Sequence, residues 1–288
     1  MASPVYRSEY MQHLSRRDPN PVTVDIPAGD ASASDVQTRE RVHMIEVKNL
    51  CKSYGEYVAV TDVSFTAQKG QIVGFLGPNG AGKTTTIRML STYLPPSSGT
   101  AVVAGFDVLR EADQVRKRIG YLPENPPLYG EMTVREYLKF VGEIKGVPRA
   151  KLSEKIDEVM ERCFVSDVRN KLCQHLSRGY RQRVGLAQAI IHEPEVIILD
   201  EPTSGLDPKQ IIEIRQLIKS LGKDHTVLLS THILPEVSMV CNKVVIISRG
   251  RVVMESMLAD LTREKSLEQV FLESVSREEV VDAAACVN

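Results

Sequence analysis

No apolar stretch in this 288-residue sequence approaches the roughly 18–20 residues needed to cross a bilayer. The N-terminus also lacks an apolar segment of the signal-peptide kind. A soluble, cytoplasmic chain is therefore expected, reaching a membrane only through a partner. Charge of one sign is missing too, since 36 Lys and Arg face 37 Asp and Glu for a net charge of −1. That balance gives no electrostatic reason to expect nucleic acid. The five cysteines form no Cys-x-x-Cys pair and are odd in number, which fits a reducing compartment. Cys163, Cys173 and His175 could be read as a metal site, but a fourth ligand and regular spacing are missing. Buried or incidental thiols explain them better. No internal repeat is present. The remaining composition, 42% hydrophobic and 25% charged, is that of an ordinary globular chain with one large core or two modest ones.

What is present lies in short motifs. Gly77-Pro78-Asn79-Gly80-Ala81-Gly82-Lys83-Thr84-Thr85 fills every fixed position of G-x-x-x-x-G-K-[ST]. It sits between the apolar run Ile72–Leu76 and a helix-like stretch from Lys83 to Tyr93. Glycines at a strand-to-helix turn let the backbone approach an anion closely, and the N–H groups of the helix start cradle phosphate oxygens. Lys83 can reach the β- and γ-phosphates, the Thr84 hydroxyl can ligate Mg²⁺, and Thr85 is a further phosphate contact.

Val196–Leu199 is a continuous apolar run of strand length, as in a parallel strand covered on both faces. It ends in Asp200-Glu201, two carboxylates at the strand edge where open α/β sheets bind ligands. Asp200 suits Mg²⁺, and Glu201 suits a general base that activates the attacking water. Asp207-Pro208 then reads as a helix cap followed by Pro at the first helical position. A third strand, Thr226–Ser230, leads to Thr231-His232 and sets His232 at the same edge as a γ-phosphate contact. Leu176-Ser177-Arg178-Gly179-Tyr180 precedes a helix that starts near Tyr180. A Ser177 cap leaves helix N–H groups able to receive an anion, and it also reads as an ordinary cap on a packed helix.

In chain order (77–85, 176–180, 200–201, 207 and 232) the motifs resemble those of ATP-binding-cassette (ABC) ATPases, over roughly 44–270. The resemblance implies an α/β fold: a P-loop, RecA-like nucleotide core with an antiparallel β layer and an inserted α-helical subdomain. It implies ATP and Mg²⁺ as ligands, Mg-dependent ATP hydrolysis, adenine stacking on Tyr54, and Asp207 at a dimer interface. Ser177 and Gly179 would meet the γ-phosphate held by a second subunit, in a homo- or heterodimer closed around two ATP.

Two positions depart from the family. Its usual signature is Leu-Ser-Gly-Gly-Gln, whereas this chain has Arg178 and Tyr180. Glu124 stands where the family carries a glutamine that contacts Mg²⁺ or the attacking water. Glu124 is expected to keep metal coordination while adding charge that repels phosphates; a solvated loop carboxylate is the alternative. Glu124→Gln then changes nucleotide affinity or Mg²⁺ dependence, and identical titrations of both would discard the idea. Leu-Pro-Glu together with Leu-Ser-Arg-Gly-Tyr resembles the ABC-2 exporter branch, which includes multidrug and gliding-motility ATPases.

The chain organisation follows. Residues 1–43 read as a disordered tail, with Tyr6, Tyr10, Met11 and Leu14 as an alternative docking segment. An ATPase domain spans 44–254. Runs at Ile45–Leu50, Val58–Phe65, Ile72–Leu76 and Ala101–Ala104 suggest the antiparallel layer. The helical subdomain covers about 124–180, opened by a Thr133-x-x-Glu136 capping box. Residues 255–288 hold a short amphipathic helix at Leu267–Leu272 and a tail. Ser177 is expected to lie too far from its own phosphate loop to share a γ-phosphate with it. Function is expected to be the ATP-hydrolysing subunit that drives a separate transmembrane permease. The alternative is an ATPase powering a non-transport envelope or motility complex. A role on DNA or ribosomes lacks the coiled-coil insertion or second cassette that the resemblance would require.

Overall fold

The computed structural model describes residues 43–261 and 265–285, so the expected tail and its tyrosine cluster lie outside the described residues. Five α-helices and six strands carry the described chain to the end of α5. They are β1 (His43–Tyr54), β2 (Tyr57–Gln68), β3 (Ile72–Leu76), α1 (Lys83–Leu90), β4 (Ser98–Val103), β5 (Phe106–Asp107) and α2 (Ala112–Arg118). Next come β6 (Ile119–Leu122), α3 (Val134–Ile144), α4 (Arg149–Arg162) and α5 (Arg178–Ile190). After them run β7 (Val196–Asp200), α6 (Pro208–Leu221), β8 (Thr226–Thr231), α7 (Leu234–Val240), β9 (Lys243–Ser248) and β10 (Arg251–Met257). Two more helices, α8 (Leu258–Leu261) and α9 (Leu267–Ala285), complete the described chain.

The strands form two sheets. A four-stranded antiparallel layer has the order β2-β1-β4-β5, and a six-stranded sheet has the order β10-β9-β3-β8-β7-β6. In the second sheet only β10 is antiparallel. Strands β3, β7, β8 and β9 are buried along their whole length, as expected when helices or a second layer cover both faces. Side chains alternate across a strand, so each strand feeds two cores. Ile72 and Leu76 of β3, with Ile197 and Leu199 of β7, face the helices around Leu138, Val184 and Ile218. Val73 and Phe75, with Val196 and Ile198, face the antiparallel layer and α1 around Val47, Phe65 and Ile87.

Four readings of the sequence need correction. Ile72–Leu76 is a central strand of the parallel sheet, because it pairs with β8 and β9 rather than with the antiparallel layer. Helix α1 stops at Leu90, not Tyr93; Thr92 turns to φ 62° and the Tyr93 N–H donates back to Arg88 O. The last strand continues to Met257, held by pairing with β9 as far as Lys243. The C-terminal helix runs to Ala285, through a segment free of Gly and Pro. The Thr133–Glu136 capping box forms as expected.

Beneath β6, the His192 Nε2–H donates to Ile119 O at 3.0 Å, and its Nδ1 is buried without a hydrogen bond. Burial first, then the charges of Lys145 and His225, press this imidazole from 6.5 down to about 4. The unfolded chain therefore binds a proton between these values that the fold refuses. Stability is full above the unfolded pKa and is lost as pH falls through 6.5 towards about 4. The loss attributable to this group is about 3 kcal/mol. Urea melts across that window should show His192→Gln with a shallower acid slope, and an unchanged slope would assign the loss elsewhere.

Candidate nucleotide site

Three neighbouring parallel strands deliver the site at their C-terminal ends. Pairing aligns Leu76 with Thr231 and Asp200 with Ser230, so the phosphate loop, Asp200-Glu201 and Thr231-His232 emerge side by side. Gly77 N–H donates to Thr231 O at 3.3 Å, tying the loop start to β8. A side chain on Gly77 would strike Ile247 O, and Gly82 caps α1 at φ 98° with Ala59 O beside it. Both positions therefore demand glycine.

Lys83 is 6% exposed and its ammonium is surrounded by oxygen. Its Nζ donates to Gly77 O at 2.8 Å and Pro78 O at 3.1 Å, and lies 3.3 Å from Glu201 Oε1. Thr84 Oγ1 donates to Asp200 Oδ1 at 3.2 Å, and Ser230 Oγ donates to the same oxygen at 2.6 Å. Burial holds the Asp200 carboxyl above its ordinary range, partly offset by the Ser230 and Thr84 hydrogen bonds. Glu201 adopts φ 47°, and its N–H is held by Ser230. Its Oε2 lies 2.9 Å from His232 Nδ1.

These groups open onto a cleft of about 340 Å³. Its walls include Tyr54, Asn79, Gly80, Gly82, Lys83, Thr84, Thr85, Glu124, Glu201 and His232. Gly77 and Pro78 enter through their carbonyls on Lys83, Ala81 packs beneath the loop, and Asp200 lies buried behind Thr84. Tyr54 is exposed at the mouth with Lys52 Nζ 5.3 Å from its ring centre. Sequence reasoning missed Tyr57, Ala59 and Ser204, which also line the cleft, and Ser230 beneath it. Ser230 was visible only as the end of an apolar run.

Ser177 and Gly179 are not among the residues lining this cleft. Ser177 is exposed and caps α5, which starts at Arg178 rather than Tyr180, by accepting from Tyr180 N–H. Gly179 is buried against the Gln210 side chain, where a Cβ would collide. Arg178 donates to Ser204 Oγ at 3.2 Å, so the departing signature residue touches the segment after Glu201. Asp207 caps α6 with a capping box to Gln210, and Pro208 takes the first turn. Among the described residues, no group of three or more His, Cys, Asp or Glu side chains forms a metal cage.

A phosphate-loop cleft with paired strand-end carboxylates defines a nucleotide-hydrolysing class, and the comparisons narrow it. The family model described as ABC transporter matches residues 60–204. The chain is 41% identical over 222 residues to the uncharacterized ABC transporter ATP-binding protein YxlF of Bacillus subtilis (strain 168), covering 77% of this chain and 74% of that one. It is 40% identical over 214 residues to the bacitracin transport ATP-binding protein BcrA of Bacillus licheniformis, covering 74% and 69%. A dimeric ATP-binding cassette solved in a post-hydrolysis state with ADP and Pi superimposes with a TM-score of 0.69 at 25% identity, covering 75% of this chain and 99% of that one. This chain belongs to the ABC transporter family as an ATP-binding, ATP-hydrolysing subunit. Among the described residues, no helix is long and apolar enough to cross a membrane.

Proposed function

We propose that the chain is the energising subunit of an ABC-2-type exporter, working as a dimer closed around two ATP on the cytoplasmic face of a separate permease. The observation that carries the ATP-hydrolysing part of this reading is the cluster Lys83, Thr84, Asp200, Glu201 and His232 around one cleft, which an exporter and a non-transport machine would share. Lys83 already collects three oxygens, and phosphate oxygens can replace them with charge-assisted hydrogen bonds. Thr85 and the α1 amides complete the phosphate cradle, while Tyr54 at the rim takes the base.

Thr84 and Asp200 offer two hard oxygens 3.2 Å apart, which fits Mg²⁺, an ion that takes one or two protein ligands and fills the rest with phosphate and water. Glu124, on the cleft wall, supplies a third oxygen donor. When bound, Mg²⁺ neutralises phosphate charge and orients the γ-phosphoryl group. Glu201 takes the proton of the attacking water, and His232, bonded to Glu201, contacts the γ-phosphate. Ser177 and Gly179, exposed or seated away from this cleft, serve the second subunit's nucleotide. Hydrolysis removes the bridging phosphate contacts and reopens the pair.

The relative named for bacitracin transport supports a transport role. The test is purification of Glu201→Gln with ATP from detergent-solubilised native membranes. A multi-span protein recovered in stoichiometric amount supports the exporter reading. Recovery without one, or with scaffold proteins alone, shifts it to a non-transport envelope or motility machine.

A further inference from the structure

Beneath the Glu201–His232 pair lies a second carboxylate that belongs to none of the motifs. Glu236, on α7, is 1% exposed. The Thr203 hydroxyl donates to its Oε1, and the Thr231 hydroxyl donates to its Oε2 at 2.6 Å. Arg215 of α6 places Nη2 3.8 Å from Oε1. The same guanidinium contacts Met239 Sδ, and its Nε is buried without a hydrogen bond.

The two threonines matter through their neighbours. Thr231 immediately precedes His232, and Thr203 follows Glu201 by two positions. Glu201 sits at φ 47°, a conformation that a residue with a side chain holds only when its surroundings impose it. Ser230 fixes the incoming side through the Glu201 N–H. The Thr203–Glu236 bond fixes the outgoing side, and the other Glu236 oxygen fixes the turn that carries His232. An apolar side chain of similar size would fill this space without the desolvation cost of a buried carboxylate. What the carboxylate adds is a two-armed link between the turns.

We infer that Glu236 is a positioning residue for ATP hydrolysis, clasping the turns that carry Glu201 and His232 so that the two side chains hold their 2.9 Å contact. This rests on the reading of Glu201 as base and His232 as γ-phosphate contact. The clasp meets the phosphate loop only at its first residue, where Thr231 O accepts from the Gly77 N–H, and it touches neither Lys83 nor Thr84, so it acts on turnover and leaves nucleotide binding nearly unchanged.

The full-length chain is assayed for ATP binding and phosphate release as Glu236→Ala, Glu236→Gln, Thr203→Val and Glu201→Gln. Glu236→Ala should lower kcat about 10- to 100-fold with KM and ATP affinity within about twofold, as for a catalytic group shifted by a fraction of an ångström to 1 Å. Glu236→Gln should recover much of the loss, because an amide accepts from one threonine and donates to the other. A parallel fall in affinity, kcat and melting temperature, with no recovery in Glu236→Gln, overturns the inference. Should Glu236→Ala fail to fold, Thr203→Val cuts one arm alone, and an unchanged kcat there overturns it equally. Full turnover by Glu201→Gln would remove the base reading itself, whereas lost turnover there with normal kcat in Glu236→Ala overturns only the clasp.

Discussion

Glu201→Gln is expected to bind ATP about as tightly as the native chain while turnover falls about 10²- to 10⁴-fold, the contribution of a positioned general base. The amide preserves the shape of the carboxylate and a hydrogen bond to His232 Nδ1, now 2.9 Å from Oε2. It cannot take a proton from water. It also removes the negative charge that lies 3.3 Å from Lys83, leaving that ammonium no less available to phosphate. Titration with a fluorescent nucleotide and a phosphate-release assay separate the two effects. Full turnover would remove Glu201 from the base role, and loss of binding would give it a part in holding the nucleotide.

Ser177→Arg is expected to abolish turnover while a single chain keeps nearly the native affinity for ATP. Ser177 is exposed, accepts one long hydrogen bond of 3.5 Å from Tyr180 N–H, and lies outside the lining of its own cleft. Losing such a cap costs the helix about 1 kcal/mol, which the fold tolerates. In the proposed dimer, an arginine there would put bulk and charge where the second subunit's phosphate packs. Calorimetry at low protein concentration reads the monomer's affinity, and phosphate release at high concentration reads turnover. If both fall together, Ser177 supports the fold rather than an interface.

The parts of this site that were legible in the sequence are those whose chemistry is local. Gly77–Thr85 specifies its own turn, and Asp200-Glu201 ends an apolar run whose length and burial announce a covered strand. Capping by Thr133 and Asp207 was equally plain, since both caps need only four consecutive residues. Sheet membership was not legible for Ile72–Leu76, because five apolar residues read alike in either sheet and the partners, β8 and β9, lie far along the chain. Strand β6 passed unnoticed because it is four residues long and contains Gly120. Glu236 and Thr203 looked like ordinary helix and turn residues; only folding brings them together. Arg178 was legible as a departure from the family, but its contact with Ser204 was not.

In the proposed cycle, two copies of this site close on ATP. The direct measurement is the mass in solution of Glu201→Gln, by light scattering, with and without saturating Mg-ATP. A single chain is expected without nucleotide, twice that mass with it, and a return to a single chain when Ser177→Arg is added. A single chain at every ATP concentration, with binding shown to be saturated, would contradict it.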